Sequence, residues 1–292
     1  FKVEQPTNPH CPTLNGGQYT RSDPSKDKYS GPFISCTSGA GTLLKFNGTK
    51  FLNLQTDDVS DSNLIEAINV NSIIMNCPFT NCNYSSSLIS FNGADKEFTL
   101  TGNTIINCPS RQLSKNTIYS LAQRSVIEGN NITYQSTEAT KSCRAYYIDS
   151  TLSTIFINNY ITNSNINKDE GSGLTSPSLG SNTPEGISGC IFSGCSGQNG
   201  AILFLRELNK DFSITNVTFE RTRNAYGAES GYLISIMDKR PNSKLTFSGC
   251  TFKYLESNSG GGGAIGLWYR GATGSGQGYN MSLAFENTKF EH

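Results

Sequence analysis

The chain contains a repeat of about 27 residues that runs through most of its 292 residues. A step of 27 residues separates Phe192 from Phe219, and steps near 27 run from Phe79 to Ile161. The longer steps elsewhere carry their excess in stretches rich in Gly, Ser and Asn. A fixed period of strand-like segments, with no helical pattern between them, is typical of a β-solenoid. We therefore expect one elongated unit, because each coil of such a fold buries its apolar residues only against its neighbours.

Each repeat contains three elements in a fixed order. A short apolar strand is followed by an alternating strand that usually ends at Gly or Asn, and a bulky apolar residue comes about three positions later. The first strands are 43–46, 64–67, 88–91, 118–121, 145–148, 201–204, 232–235 and 264–267. The second strands are 50–53, 72–76, 97–103, 125–130, 154–159, 211–216, 244–249 and 282–287. The bulky residues are Phe79, Ile106, Thr133 or Tyr134, Ile161, Phe192, Phe219, Phe252 and Phe290.

This pattern predicts an all-β fold, a right-handed parallel β-helix (β-solenoid) of about eight coils with three short strands each. Strands of successive coils lie ~4.8 Å apart, so that equivalent residues form columns. Asn tolerates left-handed backbone geometry, and stacked amides can bond from coil to coil, which predicts an Asn column at a turn. The expected inward column is Phe98, Val126, Ile155, Phe212, Leu245 and Leu283, and the turn column is Asn103, Asn130, Asn158 or Asn159, Asn216 and Asn287.

Residues 1–40 lie outside the clean repeat, and we interpret them as an N-terminal cap over the first coil. A disulfide between Cys11 and Cys36 would stabilise this segment, and the alternative is an ordered tail with free thiols. Residues 41–292 form the β-helix. Within it, 168–186 has the Gly, Ser and Pro content of a loop, which we favour over a linker between two solenoid segments.

Composition favours a secreted or cell-surface glycoprotein. The formal net charge is zero and only 16% of residues are charged, which is a poor electrostatic footprint for nucleic acid or anionic membrane. No apolar run approaches the roughly 20 residues that span a bilayer. Nine cysteines without a zinc pattern, low charge and five sequons together indicate an extracellular eukaryotic protein. The sequons, where N-linked glycans are expected, begin at Asn47, Asn83, Asn131, Asn216 and Asn280.

Two recurring motifs carry a resemblance to a known repeat. They are GGGGAIGL at 260–267 with GQNGAILF at 197–204, and FTNC at 79–82 with FSGC at 192–195. They resemble the polymorphic outer-membrane-protein type of repeat, a right-handed parallel β-helix within the pectin-lyase-like superfold. That repeat occurs in bacterial autotransporter adhesins and in large surface proteins of protists. Its second motif has Asn where this chain has Cys, and FERT at 219–222 and FKYL at 252–255 diverge further. The resemblance covers about residues 40–292 and implies an adhesive or surface-structural role.

Pectin-lyase-like folds also include polysaccharide hydrolases and lyases, so a carbohydrate-active enzyme is the main alternative. An inverting hydrolase needs paired carboxylates with room for a water. Asp57-Asp58 is a catalytic or weak calcium-binding candidate, but a solvated turn explains it better. Asp169-Glu170 opens the predicted loop, and a catalytic pair needs a rigid support.

Other charged residues offer little chemistry. Asp238-Lys239-Arg240 is followed by Pro241, and a turn between strands explains this cluster better than a lyase base does. The two histidines, His10 and His292, lie before the repeats and at the end of the chain, and neither lies in the Gly-His-Gly that the polygalacturonase-type pattern would supply. The sequence therefore predicts no catalytic residue, no metal site and no cofactor.

The cysteines show a recurring spacing, Cys-x4-Cys, at Cys77/Cys82 and at Cys190/Cys195. Zinc would need further Cys or His at matching spacing, and none recurs nearby. Disulfides and buried free thiols are both open. Cys82 and Cys108 fall near one column in adjacent coils, with a predicted separation near the bridgeable range. Because nine is odd, at least one thiol is free or pairs with another chain.

The aromatic pair Trp268-Tyr269 follows the strand 264–267. An outward aromatic there could stack on a sugar ring, although packing in a column is the simpler interpretation. Taken together, the residues predict a non-enzymatic, secreted, structural or adhesive β-helix that could be a subunit of a surface fibre. The alternatives are a carbohydrate-active β-helix and a sugar-binding module. Expected partners are further copies of the chain, cell-surface molecules or carbohydrate.

Overall fold

A computed structural model of the chain is all-β and forms a parallel β-solenoid. The structure describes residues 11, 13–20, 31–37, 42–56, 62–112, 115–135, 143–165, 172–176, 186–197, 202–206, 211–224, 234–238, 244–256, 265–269 and 282–291. Within these residues no helix is long and apolar enough to cross a membrane. The fold class predicted from the repeat is thus confirmed.

The strands are short except for three in the middle of the chain. The first fourteen are β1 (Thr13–Asn15), β2 (Gln18–Thr20), β3 (Ile34–Thr37), β4 (Leu43–Asn47), β5 (Lys50–Leu52), β6 (Ile65–Ile68), β7 (Asn71–Met75), β8 (Pro78–Thr80), β9 (Ser87–Thr101), β10 (Thr104–Ile106), β11 (Lys115–Glu128), β12 (Asn131–Thr133), β13 (Cys143–Ile157) and β14 (Tyr160–Thr162). The others are β15 (Leu174–Ser176), β16 (Ile187–Ser188), β17 (Ile191–Ser193), β18 (Ser196–Gly197), β19 (Leu203–Arg206), β20 (Phe212–Thr215), β21 (Thr218–Glu220), β22 (Arg223–Asn224), β23 (Ile234–Asp238), β24 (Lys244–Ser248), β25 (Thr251–Lys253), β26 (Ile265–Tyr269), β27 (Ser282–Glu286) and β28 (Lys289–Glu291).

The strands form three faces, which we call A, B and C. Face A contains β3, β6, the N-terminal parts of β9, β11 and β13, and then β15, β19, β23 and β26. Face B contains β1, β4, β7, the C-terminal parts of the same long strands, and then β16, β20, β24 and β27. Because β9, β11 and β13 run through the corner between them, faces A and B form one sheet of 16 strands.

Face C is a sheet of 10 parallel strands, in the order β2-β5-β8-β10-β12-β14-β17-β21-β25-β28. β18 and β22 form a separate two-stranded sheet. Face C thus has ten strands where the repeat predicts about eight coils, so the predicted number of coils was slightly off. The first strand of face C, β2, comes from the segment that the sequence places before the repeats.

The N-terminal segment continues the sheets of the solenoid. β1 pairs with β4, β2 with β5 and β3 with β6, all in parallel, so that part of 1–40 adds a strand to each face. A disulfide joins Cys11 to Cys36, with the Cα atoms 5.3 Å apart. The sequence assigned 43–46 and 50–53 to the first and second strands of a repeat. The pairing shows that they are instead the second and third strands of a coil, β4 on face B and β5 on face C.

The predicted loop 168–186 contains a strand. β15 pairs with β13 on one side and β19 on the other, and its three residues, Leu174 to Ser176, are buried. A single apolar residue among Ser, Thr and Gly produces no visible periodicity, which is why the pattern missed it. The rest of this segment, 168–171 and 177–185, lies outside the described residues.

The inward column predicted for face B is wrong in the middle coils. Phe98 pairs with Ser125, and Ser125 with Thr154, and all three are buried. Val126 and Ile155 are half-buried and lie on the other side of the sheet. The cause is a register shift between Ala122 and Arg124, where the long strands turn the corner with different numbers of residues. A slip of one residue moves a side chain to the opposite face. The last part of the column was predicted correctly, as Phe212, Leu245 and Leu283 are register partners.

Face C points one large apolar column into the core. The prediction was off by one residue at Ile106 and Thr133, since Ile105 and Ile132 are the buried residues. Aromatic rings stack along this column wherever neighbouring coils both supply one. The stacked pairs are Tyr19–Phe51 (ring centroids 5.4 Å apart), Phe51–Phe79 (4.6 Å), Phe192–Phe219 (5.6 Å), Phe219–Phe252 (5.0 Å) and Phe252–Phe290 (4.8 Å).

The corner between faces B and C is a column of Gly and Asn residues in the left-handed region. Asn158, Asn216 and Asn287 belong here, with φ of 55°, 53° and 49°. The Asn amide lies over the next coil where that coil has Gly, and a Cβ at Gly249 would lie 2.4 Å from Oδ1 of Asn216. The column therefore selects Asn and Gly for two reasons, backbone conformation and the space above the turn.

The next residue along the chain forms a second, buried column, and here three Asn amides form a ladder. Nδ2 of Asn103 donates to Oδ1 of Asn130 (2.9 Å), and Nδ2 of Asn130 donates to Oδ1 of Asn159 (3.0 Å). Each Nδ2 also donates to a backbone carbonyl of the preceding coil, at 2.8–2.9 Å. The predicted turn column is thus split between two adjacent columns, of which only this one is an amide ladder.

Candidate functional site

Most of the cysteines occupy one structural position, directly after a left-handed residue at an end of a face C strand. There the thiol points inward and donates to the carbonyl two residues earlier, across the turn. The Cys-x4-Cys spacing is therefore the length of a three-residue strand with one such turn at each end. The donors and acceptors are Cys77 to Met75 (3.1 Å), Cys82 to Thr80 (3.5 Å), Cys108 to Ile106 (3.4 Å), Cys190 to Ser188 (3.3 Å), Cys195 to Ser193 (3.8 Å) and Cys250 to Ser248 (3.6 Å).

Other residues at the same position behave in the same way. The hydroxyl of Thr222 donates to the carbonyl of Glu220 at 3.0 Å, and that of Thr288 donates to the carbonyl of Glu286 at 3.2 Å. In these coils the position thus holds a small inward donor, which explains the cysteines without a metal. Among the described residues, no group of three or more His, Cys, Asp and Glu side chains is placed to hold a metal ion.

Apart from Cys11 and Cys36, the seven other cysteines are free and buried. Burial raises the pKa of Cys190 and of Cys195 to about 12. Since the thiolate is the nucleophile and the metal ligand, these protonated thiols are chemically inert at neutral pH. Their role in the structure is packing and hydrogen bonding.

Cys82 and Cys108 lie side by side in adjacent coils, as their spacing predicts. The backbone N–H of Cys82 donates to Sγ of Cys108 at 3.3 Å, and both thiols are free. The side-chain hydrogen bond to Cys108 lowers the pKa of Cys82, whereas burial raises the pKa of Cys108 well above its ordinary value.

A buried group of hydroxyls and one thiol lies nearby in the core, and the sequence did not reveal it. The hydroxyl of Tyr84 lies 2.7 Å from Oγ1 of Thr117 and 2.8 Å from Sγ of Cys143. Thr117 also bonds the hydroxyl of Tyr134. Burial raises the pKa of both tyrosines well above the ordinary value, so that the two phenol hydroxyls stay protonated and uncharged. The contacts satisfy these polar atoms and form no catalytic arrangement.

The described sequons lie mainly along one corner. Asn47 ends β4, Asn131 begins β12 and Asn216 is a left-handed residue, so that all three lie where face B meets face C. Asn131 and Asn216 are exposed, whereas Asn47 and Asn83 are half-buried. Nδ2 of Asn76 donates to Oδ1 of Asn47 at 3.3 Å. Asn280 lies outside the described residues.

The charged and aromatic candidates are mostly not described. Asp57-Asp58, Asp169-Glu170, Lys239, Arg240, His10 and His292 lie outside the described residues. For the remaining candidates, Asp238, Trp268 and Tyr269, the structure gives the backbone register, which pairs Trp268 with Met237 and Tyr269 with Asp238. The carbohydrate-active and sugar-stacking interpretations therefore stay predictions.

The outer surface of face A carries an aromatic pair that the sequence analysis did not single out. The rings of Tyr119 and Tyr147 stack with their centroids 5.2 Å apart and their planes at 19°. The guanidinium of Arg144 lies 5.6 Å from the Tyr147 ring centroid, and its Nη1 donates to Oδ1 of Asn116 at 2.9 Å. Both tyrosines are half-buried, so that part of each ring is open on the outer surface, and an aromatic pair in this position marks a candidate binding surface.

Comparison with protein-family models, with curated proteins and with solved structures found no match to this chain. The structure supports the β-helix that the resemblance implies. Because no family matches, nothing supports the outer-membrane-protein-like or pectin-lyase-like identity. Function must be argued from the molecule alone.

Proposed function

We propose that this chain is an extracellular, N-glycosylated β-solenoid with a structural or adhesive role. The observation that carries the proposal is the placement of the sequons. Three of the described sequons lie along the corner between faces B and C, and none of the described ones lies on face A. A glycan coat along one corner would leave a broad face free for a partner.

Two further features support this role. The Cys11–Cys36 disulfide stabilises the first coil, and structural disulfides persist in oxidising compartments. The core is a continuous stack of coils, each buried against the next, which gives a stiff support for a surface. Adhesion in such a molecule would depend on geometry and outer side chains rather than on a reaction.

The test is glycopeptide mass spectrometry of the protein purified from the cells that make it. Enzymatic removal of N-glycans in heavy-oxygen water should label Asn131 and Asn216, the exposed sequons. A reagent that cannot cross the membrane should label the protein on intact cells. The variant Asn131→Gln, Asn216→Gln serves as the control and should lose the label at those positions. Protein that carries no glycan and has reduced Cys11 and Cys36 would contradict the proposal.

A fibre subunit is a second candidate, and one surface favours it. At the outer edge of β27 and β28 the inward columns end in exposed apolar residues, with Leu283 38% exposed, Phe285 43% and Phe290 60%. Among the described strands none pairs with the outer side of β27 or β28, and an open strand edge favours the addition of a further coil, from the same chain or from a second copy. Filaments in electron micrographs of the native, non-reduced protein would support axial assembly, and discrete short rods at all concentrations would exclude it.

A further inference from the structure

Face A carries a row of outward register partners from four successive coils. Glu66 of β6 pairs with Ser90 of β9, Ser90 with Tyr119 of β11, and Tyr119 with Tyr147 of β13. The ring of Tyr119 is stacked on Tyr147 on one side. On its other side the register partner is Ser90, whose side chain is too short to cover an aromatic ring. Among the register partners that the structure describes, the row therefore contains a gap, with a ring face at one end, a carboxylate at the other and Ser90 as its floor.

The size of the gap suits a flat cation. Two strand spacings, ~9.6 Å, separate the backbones of Glu66 and Tyr119. A guanidinium binds an aromatic face when it lies within ~6 Å of the ring centroid. It also forms bonds of ~2.8 Å to a carboxylate, often with two parallel N–H groups. Both contacts can be made at once across a span of this length.

The charge of the surface also favours a cation. Glu66 accepts one bond from Nδ2 of Asn63 (2.9 Å) and one from Oγ of Ser35 (3.3 Å), and a carboxylate can accept about four. Asp149 lies on the same outer side of β13, two residues after Tyr147. Its charge helps to raise the pKa of Tyr119, after the larger effects of burial and of Tyr147. Glu66 and Asp149 thus place carboxylates on the same outer surface as the Tyr119 ring, whose electron-rich face also attracts a cation.

The protein itself provides an example of the same contact. Arg144 is mostly buried and holds its guanidinium 5.6 Å from the centroid of the Tyr147 ring, oriented by the amide oxygen of Asn116. A basic group at this tyrosine pair is therefore already part of the fold. The gap over Ser90 offers a second ring face, together with a carboxylate that Arg144 does not use in the described contacts.

We propose that the gap between Tyr119 and Glu66 binds the guanidinium of an arginine side chain presented by a partner protein. The arginine stacks on the Tyr119 ring above Ser90 and donates to the carboxylate of Glu66. The proposal names the kind of partner, a protein with an exposed arginine, that the adhesive role proposed above would need. It rests on that role for its place in biology only, because binding can be measured on the purified chain.

The test is a titration of the full chain, with isotope-labelled tyrosine rings, with N-acetyl-arginine methylamide, followed by NMR. The expected result is a saturable shift of the Tyr119 ring signals, and no shift with the neutral citrulline analogue. The variant Ser90→Phe should abolish the response, because its ring would fill the gap and extend the stack. Glu66→Gln should weaken binding by up to about fivefold.

The matched control is Tyr160→Leu, which removes a tyrosine that is 41% exposed at the start of a face C strand and should leave binding unchanged. Unfolding midpoints check that each variant is folded. A response that is absent, that the citrulline analogue shares, or that Ser90→Phe leaves intact would overturn the proposal. A saturable response to N-acetylglucosamine that Ser90→Phe removes would make the site a sugar site instead. Arginine binding by protein that proves to be intracellular and unglycosylated would keep this inference and reject the proposed function.

Discussion

The central coils and the coils on either side of them fill the same space with different residues. In the central coils, the inward residue of face C is Ile, and the residue two positions earlier, in the second, buried column, is Asn. In the flanking coils from β5 onward, the inward residue is Phe and the residue of the buried column is Thr, Cys or Val. The central pairs are Asn103 with Ile105, Asn130 with Ile132 and Asn159 with Ile161. The flanking pairs are Thr49 with Phe51, Cys77 with Phe79, Cys190 with Phe192, Val217 with Phe219, Cys250 with Phe252 and Thr288 with Phe290.

The difference teaches that the columns are organised in blocks. An inward amide is satisfied when the next coil supplies another amide, as Asn103, Asn130 and Asn159 do for one another. A ring gains most when the next coil supplies another ring, as Phe219 does between Phe192 and Phe252. Both ladders therefore depend on like neighbours, and the two positions change together from block to block.

The largest effect is expected in the flanking block. Phe219→Ala should lower the free energy of unfolding by about 3–5 kcal/mol, because it leaves a cavity between two stacked rings. Phe290→Ala, in the same column but 60% exposed, should cost less than about 1 kcal/mol. Urea denaturation of the two variants measures both. Equal losses would show that the exposed edge is covered in solution.

In the central block, Asn130→Leu should cost about 3 kcal/mol. The change removes the acceptor of both the backbone N–H and the side-chain amide of Asn103, and it removes the donor to the carbonyl of Leu100, all in a buried position. Oδ1 of Asn159 keeps the bond from the backbone N–H of residue 130. Hydrogen exchange should show the loss concentrated at the corner of these coils. Ile132→Leu is the control, since it changes a buried apolar residue of the same coil without changing its volume, and it should lose less than about 1.5 kcal/mol.

Exchanging the two kinds of pair tests whether position within a block matters. Asn103→Cys with Ile105→Phe moves the block boundary by one coil, because Phe79 and Cys77 already lie next to it. The same exchange at Asn130 and Ile132 creates two new boundaries inside the central block. The first double variant should be more stable than the second by about 1–2 kcal/mol, a coupling typical of residues in contact. Equal stabilities in thermal unfolding would show that the columns act independently.

A further effect should appear only at alkaline pH. The pKa of Cys190 and of Cys195 is about 12 in the folded chain, above the value of 9.0 for a free thiol. The stability that these neutral thiols contribute is therefore complete below pH 9 and is lost as pH rises from 9 towards 12. Hydrogen exchange between pH 7 and pH 10 should show the β17 coil losing protection before the β12 coil, which has Asn130 at the position of Cys190. Cys190→Thr should reduce the difference, since Thr has no titrating group in this range.

Several parts of the fold could be predicted because the information is local. The period of the repeat, the alternating strands and the Gly and Asn turns are readable from residues close together in the chain. The disulfide between Cys11 and Cys36 was also predicted, because both lie in a short segment with little core of its own. Even the meaning of Cys-x4-Cys is local, since the left-handed residues Asn76, Asn81, Gly189 and Gly194 stand directly before these cysteines.

The sequence by itself determined the architecture, a parallel β-solenoid with Asn-rich corners, because its apolar period and its turn residues repeat along the chain. Only the tertiary structure decided which residues face each other between coils. Turns of different length set that register, and a slip of one residue sent Val126 outward and Ser125 inward. The same register brings Glu66, Ser90 and Tyr119 into one row from three different coils. Local periodicity does not encode such a row, because each member is neighbour to the next only after the coils have stacked.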